Sequence, residues 1–245
     1  MRRARFEHEN LLHEGTLEDG TIVSESGGEY DADEVNFLAP CNPTKVIGVG
    51  RNYAEHADEL GNDVPDFPLF FLKPSTAVIG ASDGIVYPET TDDLHYESEL
   101  GVVIGRACRD VTEDEALDYV GGYTCVNDVT ARDWQGRESQ WFRAKGGDGF
   151  CPIGPCIHDE HIEDRSIETR LNGETVQEST TALMHYGVAE LVAEASRFVT
   201  LREGDVIATG TPEGVGPMEP GDTVEVEIEG IGTLENDVVE PDAEP

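Results

Sequence analysis

Two acidic side chains stand two residues apart in the stretch LHYESELGVVIG, at Glu97 and Glu99. The apolar, valine-rich run that follows them predicts a buried strand. Since residues i and i+2 of a strand point to the same face, both carboxylates project together from a segment suited to the interior. A hard divalent cation would relieve their repulsion, because it prefers oxygen ligands. An edge strand with two solvated glutamates explains the pattern equally well at this point.

An imidazole and a carboxylate are spaced three residues apart in YAEHADEL, which has helical composition over Tyr53–Leu60. His56 and Glu59 therefore share a helix face. A carboxylate beside an imidazole fixes its tautomer and raises its basicity, as a general base requires. Taken alone, the pair fits a polar surface helix better than a catalytic site.

A third acidic residue follows the next predicted strand. A capping box at Thr112 predicts a helix running to about Val120, and the segment 121–127 then returns as a strand that ends at Asp128. This strand–helix–strand unit can bring Asp128 beside the two glutamates. Three carboxylates from two adjacent strands suit Mg²⁺ or Mn²⁺. The alternative for Asp128 is the N-cap of a helix over 130–140.

Lysine is nearly eliminated from the chain, which has 16 Lys+Arg against 52 Asp+Glu and only Lys45, Lys73 and Lys145 as lysines. Where lysine is avoided, a lone Lys145 before two glycines indicates a functional residue. The formal charge of −36 over 245 residues indicates a protein that works in concentrated salt, where the Debye length falls to about 3 Å at ~1 M.

The same charge excludes a nucleic-acid partner and an anionic membrane, because no basic patch exists. The sequence contains neither a signal-peptide pattern nor a run long enough to cross a bilayer. Five cysteines without any Cys-x-x-Cys spacing argue against a zinc site or a disulfide framework, and they fit reduced thiols in the cytoplasm.

The turn-rich, alternating pattern of residues 1–43 predicts a small N-terminal β appendage, and the main domain is expected over 44–240 with an acidic tail at 241–245. Asn172-Gly173 predicts a two-residue hairpin turn, and Gly187–Phe198 an amphipathic helix. The glycine-rich loop around Thr211 lacks the Gly-Lys-Ser/Thr of a P-loop, but its amides and hydroxyl could bind a small carboxylate.

Six ordered motifs together resemble the fumarylacetoacetate hydrolase family, especially its short acylpyruvase-like members. They span residues 45–217 and read GVGRNYAEHADE, FLKPSTAVIG, HYESELGVVIG, YVGGYTCVNDVTARDWQ, AKGGDGFCPIGP and GDVIATGTPEGVGP. The resemblance implies an α+β, mainly β fold, in which a mixed β-roll catalytic domain follows the small N-terminal β appendage. It also implies a homodimer.

Carried onto matching positions, the resemblance assigns the divalent cation to Glu97, Glu99 and Asp128. It makes His56 and Glu59 an acid–base dyad on a lid segment, with Lys145 facing the reacting oxygen.

The same resemblance assigns substrate contacts to Gln135 and Thr211, and also to Arg51 and Lys73, which lie in matching motifs. The chain departs from the family after Lys145, where Gly149 replaces a common Thr or Ser and a pocket hydroxyl is absent.

The implied reaction is Mg²⁺-dependent hydrolysis or lysis of a C–C bond, in 2,4-dioxo acids such as acylpyruvates or in 2-oxo diacids such as oxaloacetate, through a metal-bound enolate. The enzymatic alternatives are a 2-hydroxyhepta-2,4-diene-1,7-dioate isomerase and a 2-keto-3-deoxy sugar acid dehydratase. A metal-binding protein without catalysis is the non-enzymatic alternative.

Overall fold

The protein is described by a computed structural model that covers residues 1–59, 61–162 and 164–241. The last residue of the predicted helix Tyr53–Leu60 and residues 242–245 of the predicted acidic tail lie outside the described residues. The strands, numbered along the chain, are β1 (Arg2–His8), β2 (Leu11–Glu18), β3 (Thr21–Ser24), β4 (Glu29–Asp31), β5 (Asn36–Leu38), β6 (Val46–Gly50), β7 (Leu69–Lys73), β8 (Val78–Ile79), β9 (Ile85–Val86), β10 (Leu94–Tyr96), β11 (Ser98–Ile104), β12 (Val120–Asn127), β13 (Thr130–Ala131), β14 (Cys151–His158), β15 (Ser166–Leu171), β16 (Glu174–Thr180), β17 (Val206–Ala208), β18 (Gly216–Pro217), β19 (Thr223–Ile228) and β20 (Gly232–Val239).

Helices are few and short. They are α1 (Ala54–Glu59), α2 (Glu113–Ala116), α3 (Arg132–Gln135), α4 (Phe142–Lys145) and α5 (Val188–Phe198), with 3₁₀ turns at Ala32–Glu34, Ser75–Ala77, Leu117–Tyr119 and Thr181–Leu183. Within the described ranges only α5 exceeds two turns, and no helix there has the length and apolar character needed to cross a membrane. The expected α+β, mainly β fold is confirmed.

Three sheets form the body. The largest follows the order β4-β3-β2-β1-β14-β12-β11-β17-β6-β7, with β5 on β1 and β8 on β14. A small sheet follows β13-β10-β18, and a third follows β16-β15-β19-β20-β9. The N-terminal strands join the largest sheet through the antiparallel pairing of β1 with β14.

The centre of the largest sheet is covered on both faces. Strand β11 lies between β12 and β17, and every one of its residues is buried, as the valine-rich run predicts. Leu100, Val102 and Ile104 belong to the core cluster that also contains Leu191 of α5, and Val103 belongs to a second cluster with Val126 of β12. A strand sandwiched in this way is a rigid support for side chains at its end.

Several local predictions are confirmed. The Asn172-Gly173 turn has φ of 54° and 79°, the left-handed geometry of a two-residue hairpin between β15 and β16. The Thr112 capping box is present, although its α-helix is a single turn that continues as 3₁₀.

The helix predicted over 130–140 is wrong, since the chain forms β13 and then the short α3.

A buried carboxylate joins the start of the main body to the loop before β17. Asp205 accepts hydrogen bonds from the Thr44 amide at 2.9 Å, the Thr44 hydroxyl at 2.7 Å and the Arg202 amide at 2.8 Å, and it pairs with Lys45. Burial alone would raise its pKa, but these partners hold the pKa of Asp205 below its ordinary value.

Replacing Asp205 with Ala should therefore lower the free energy of unfolding by about 3 kcal/mol at neutral pH, because donors and a lysine lose their partner. Since the folded pKa is depressed, the parent's advantage should be present above the ordinary aspartate pKa and vanish as the pH falls through the folded value. Urea unfolding at pH 7 and at lower pH measures both, with exposed Glu203→Gln as control. Equal stability of Asp205→Ala and the parent at pH 7 would contradict the assignment.

Candidate active site

Three buried carboxylates meet where the largest sheet and the small sheet come together. One oxygen each from Glu97, Glu99 and Asp128 lies within 4.8 Å of the others, and all three side chains are buried. The predicted grouping is therefore present in the structure. Strands β11 and β12 are antiparallel neighbours, which places Asp128 directly after the strand that pairs with the glutamate segment.

The sequence pattern predicts that both glutamates lie on one uninterrupted strand. The structure differs, because the strand is broken at Glu97. Glu97 stands between β10 and β11, where the chain passes from the small sheet to the large one. Its amide donates to Asn127 Oδ1 at 3.0 Å, and its carbonyl accepts the amide of Asp128 at 2.8 Å. These two hydrogen bonds of the Glu97 backbone hold Glu97 and Asp128 together without a strand ladder.

Asp128 does not cap a helix, because the residue at the N-cap of α3 is Ala131. Its carboxylate instead pairs with two buried lysines, Lys73 through Oδ1 and Lys145 through Oδ2, the latter at 2.6 Å. Lys73 is fully buried and also donates to the carbonyl of Val129 at 3.2 Å. The side chain expected to contact substrate at position 73 thus lies behind Asp128.

Lys145 occupies the centre of the carboxylate group. Its Nζ lies 2.6 Å from Glu97 Oε2 and 2.6 Å from Asp128 Oδ2, and it sits 5.1 Å above the ring of Phe71. Burial opposes its charge, but the surrounding carboxylates outweigh that effect and raise the pKa of Lys145. All three lysines of the chain are therefore in ion pairs with carboxylates.

Glu99 and Glu97 have different electrostatic environments. Burial favours the neutral form of Glu97, yet Lys145 and Arg132 hold its pKa well below the ordinary value. Burial and the charges of Asp128 and Glu97 raise the pKa of Glu99 well above it. Among the described residues no lysine or arginine pairs with Glu99, so the cluster has one carboxylate without a cationic partner. Three converging carboxylate oxygens, one of them on a side chain without a cationic partner, fit a divalent cation.

A backbone amide fixes the orientation of Glu99. The N–H of Gly210 donates to Glu99 Oε2 at 2.8 Å. Gly210 has a φ of +99°, and a Cβ there would come within 2.7 Å of the Cβ of Asn52. The close approach of this loop to Glu99 therefore requires glycine.

The two residues predicted to form a dyad, His56 and Glu59, lie next to each other on α1. His56 is buried and its Nδ1 lies 3.3 Å from Glu59 Oε2, while Glu59 also accepts the amide of Gly214 at 3.1 Å. Burial lowers the pKa of His56, with Glu97 and Glu59 opposing that effect. The lowered pKa favours the neutral imidazole, which can accept a proton. Asn52, which precedes α1, anchors this segment by donating to the carbonyls of Thr209 and Tyr186.

A cavity of about 320 Å³ opens above these groups. Eight of the ten predicted site residues line it, namely Arg51, His56, Glu97, Glu99, Asp128, Gln135, Lys145 and Thr211. Glu59 and Lys73 do not line the cavity, but they contact the lining residues His56 and Asp128, respectively. Gly149, which replaces the Thr or Ser common in the family, has a φ of +75° and does not line the cavity.

Sequence reasoning missed Arg132 as a functional residue. Its Nη2 lies 2.5 Å from Glu97 Oε1, its Nη1 donates to Gln135 Oε1 at 2.6 Å, and it lines the cavity. Its buried Nε–H has no acceptor within the described ranges, so a bound anion could still be recognised there. The only feature of the sequence that pointed to Arg132 was its position four residues after Asp128.

Trp141, at the left-handed φ of 56°, and Phe71 form the apolar wall of the cavity.

We expect the reaction rate to fall at acid pH with an apparent pKa below the ordinary 6.5 of histidine, because His56 must be neutral to take a proton. Glu59→Gln should lower kcat by about tenfold and move this acid limb to lower pH, since the carboxylate raises the basicity of the imidazole. The pH profile of kcat/KM measures both effects, with Glu55→Gln on the same helix as control. An unmoved acid limb in Glu59→Gln would contradict the dyad.

The family model described as Fumarylacetoacetate (FAA) hydrolase C-terminal matches residues 45–239. The mitochondrial oxaloacetate tautomerase fahd2 of Xenopus laevis is 41% identical over 84% of this chain and 69% of its own length.

Two solved structures are also similar. The 5-carboxymethyl-2-hydroxymuconate delta-isomerase of Mycobacterium smegmatis has a TM-score of 0.90 and 45% identity, covering 98% of this chain and 99% of that one. The fumarylpyruvate hydrolase of Pseudomonas aeruginosa, solved with Mn²⁺ and pyruvate, has a TM-score of 0.77 and 38% identity over 81% of this chain and 90% of that one.

Proposed function

Because the chain belongs to the fumarylacetoacetate hydrolase family and is an enzyme of that family, we propose that it cleaves a C–C bond in small 2,4-dioxo or 2-oxo acids through an enolate. The observation that carries the proposal is the convergence of Glu97, Glu99 and Asp128 with Lys145 and His56 on one cavity. Carboxylates for a cation, a lysine donor and a neutral imidazole base are the groups such chemistry requires.

We propose Mg²⁺ or Mn²⁺ as the cofactor, held by Glu97, Glu99 and Asp128. A divalent cation held there would supply a Lewis acid that polarises the oxygens of a 2-oxo acid. The crystal structure of the similar fumarylpyruvate hydrolase with Mn²⁺ and pyruvate supports this assignment. Oxygen-only ligands suit either metal.

In the hydrolytic reaction, Glu59 orients His56, which takes a proton from water as the water oxygen bonds to the distal carbonyl carbon. Lys145 and Arg132 donate to the substrate oxygens that gain charge. The bond from that carbon to C3 then breaks, and its electron pair stays on C3 as the enolate of pyruvate. His56 returns its proton to C3, which yields pyruvate and a carboxylic acid.

A substrate panel tests the proposal. Acetylpyruvate, fumarylpyruvate and oxaloacetate are incubated with purified protein and Mg²⁺ or Mn²⁺ in concentrated KCl, and pyruvate release is followed. We expect metal-dependent release from at least one of them, abolished by EDTA and by His56→Ala. If no pyruvate forms from any compound, the C–C cleavage proposal is refuted.

Isomerisation or tautomerisation is the second candidate, because the named relatives include an oxaloacetate tautomerase and a muconate delta-isomerase. The same enolate explains it without bond cleavage. Conversion of oxaloacetate enol to keto form, or of 2-hydroxyhepta-2,4-diene-1,7-dioate, without pyruvate release would favour this candidate. Loss of water from 2-keto-3-deoxy sugar acids would favour a dehydratase, and metal binding without any turnover a binding protein.

We also propose that the enzyme acts as a homodimer in a cytoplasm of high salt content. Its formal charge of −36 supports the salt requirement, and five buried unpaired thiols support a reducing compartment. Light scattering should give twice the chain mass. A monomeric mass would refute the dimer.

The unfolding temperature should rise by about 10 °C or more between ~0.1 and ~2 M KCl, since screening relieves self-repulsion. Thermal scans in NaCl and in KCl at equal ionic strength measure this. Stability that is independent of salt would refute the requirement.

A further inference from the structure

Gln177 is a buried side chain on β16 that joins two parts of the site without lining the cavity. Its Oε1 accepts hydrogen bonds from the Ser98 amide at 3.3 Å, the Ser98 hydroxyl at 3.1 Å and the Thr169 hydroxyl at 2.7 Å. Ser98 is the residue between the two metal-site glutamates. Gln177 therefore connects the third sheet to the segment that carries the carboxylates.

The other end of the same amide holds the loop after β17. Its Nε2 lies 3.0 Å from Thr211 Oγ1, 2.9 Å from the Pro212 carbonyl and 3.3 Å from the Glu213 carbonyl. A backbone amide can only donate and a carbonyl can only accept, so the orientation of the Gln177 side chain is forced by Ser98 and Pro212.

This orientation determines whether the Thr211 hydroxyl donates or accepts in its hydrogen bond with Gln177. An amide nitrogen has no lone pair, so Thr211 Oγ1 must accept from Gln177 and cannot donate to it. No acceptor for the Thr211 hydroxyl hydrogen is found among the described residues, and Thr211 lines the cavity. The hydrogen is thus available to an acceptor inside the cavity, where Lys145 and Arg132 are also donors.

We infer that Gln177 is a positioning residue that makes the Thr211 hydroxyl a hydrogen-bond donor to an oxygen of a small anionic substrate. The inference rests on the proposed function for the class of ligand, a 2-oxo carboxylate. The hydrogen-bonding role of one lining side chain, Thr211, is thus set by a residue that lies outside the cavity.

The test is the affinity for oxalate, a planar dianion with the adjacent oxygens of a 2-oxo carboxylate, measured by calorimetry at saturating Mg²⁺. Gln177→Glu keeps the acceptor that faces Ser98 but offers Thr211 an acceptor, so its hydroxyl turns away from the cavity. We expect Gln177→Glu and Thr211→Val each to weaken oxalate binding about tenfold, and the double variant to weaken it no further. Mg²⁺ affinity should change by less than about twofold in each case, with exposed Glu178→Gln as control.

Several results would overturn the inference. These are parental oxalate affinity in Gln177→Glu, a double variant that loses the product of both factors, and a Mg²⁺ affinity that falls in parallel with that for oxalate. Should Gln177→Glu fail to fold, Gln177→Met decides the question by the same measurements. A parent that binds Mg²⁺ but not oxalate would refute the proposed function and this inference with it, whereas parental binding with an unaffected Gln177→Glu refutes the inference alone.

Discussion

Glu99→Gln should abolish the stabilisation of the protein by Mg²⁺ or Mn²⁺ and lower turnover by about 10³-fold, because a Lewis acid contributes several kcal/mol to the transition state. The substitution preserves the shape of the side chain and its acceptor for the Gly210 amide. It also removes a carboxyl group whose ionisation is opposed by burial and by the charges of Asp128 and Glu97. Without metal, the variant should therefore unfold at the parent temperature or above it.

Thermal unfolding with and without millimolar Mg²⁺ measures this difference, alongside turnover of the substrate found in the panel. Exposed Glu178→Gln is the control for loss of a negative charge. If Glu99→Gln keeps a parental response to metal, Glu99 is not a ligand. If it unfolds well below the parent without metal, the carboxylate has a structural role instead.

Lys145→Met should lower kcat by about 10²-fold or more, because it removes a donor to the oxyanion. It should also destabilise the metal-free protein by about 3–5 kcal/mol, since Lys145 lies 2.6 Å from both Glu97 and Asp128 and its loss leaves each of them with a single cationic partner. A divalent cation would restore part of this loss. The increase of the unfolding temperature with Mg²⁺ is therefore expected to be larger in Lys145→Met than in the parent.

Paired thermal scans and steady-state kinetics measure the two effects. Lys145→Arg separates charge from geometry, because it keeps the positive charge but not the compact ammonium group. It should regain stability without regaining kcat. A metal-free Lys145→Met protein as stable as the parent would show that the central position of Lys145 contributes nothing.

The parts of the site that could be predicted from sequence are those whose residue types are unusual in their surroundings. Glu97 and Glu99 directly precede an apolar, valine-rich run, and Lys145 is one of three lysines in a chain with 52 acidic residues. The family motifs then linked them to Asp128, His56 and Glu59. Each of these lies on a short segment whose local pattern also identifies a strand end or a helix.

What could not be predicted depends on contacts between distant segments. Gln177 meets Ser98 across 79 positions and Thr211 across 34, and no periodicity in a single sequence reports such a pairing. Asp128 was open to interpretation as a helix cap because its lysine partners lie at positions 73 and 145. The break at Glu97 arises from a change of sheet, which an alternating pattern does not reveal.

The most direct test of the central claim is exchange of the C3 hydrogens of pyruvate in D₂O, followed by proton NMR. Enolate formation at this site predicts loss of the methyl signal at a rate proportional to the concentration of protein, requiring Mg²⁺ or Mn²⁺ and absent in His56→Ala and Glu99→Gln. A parent that binds one divalent cation and pyruvate, yet leaves the methyl signal at its uncatalysed rate, would contradict the account.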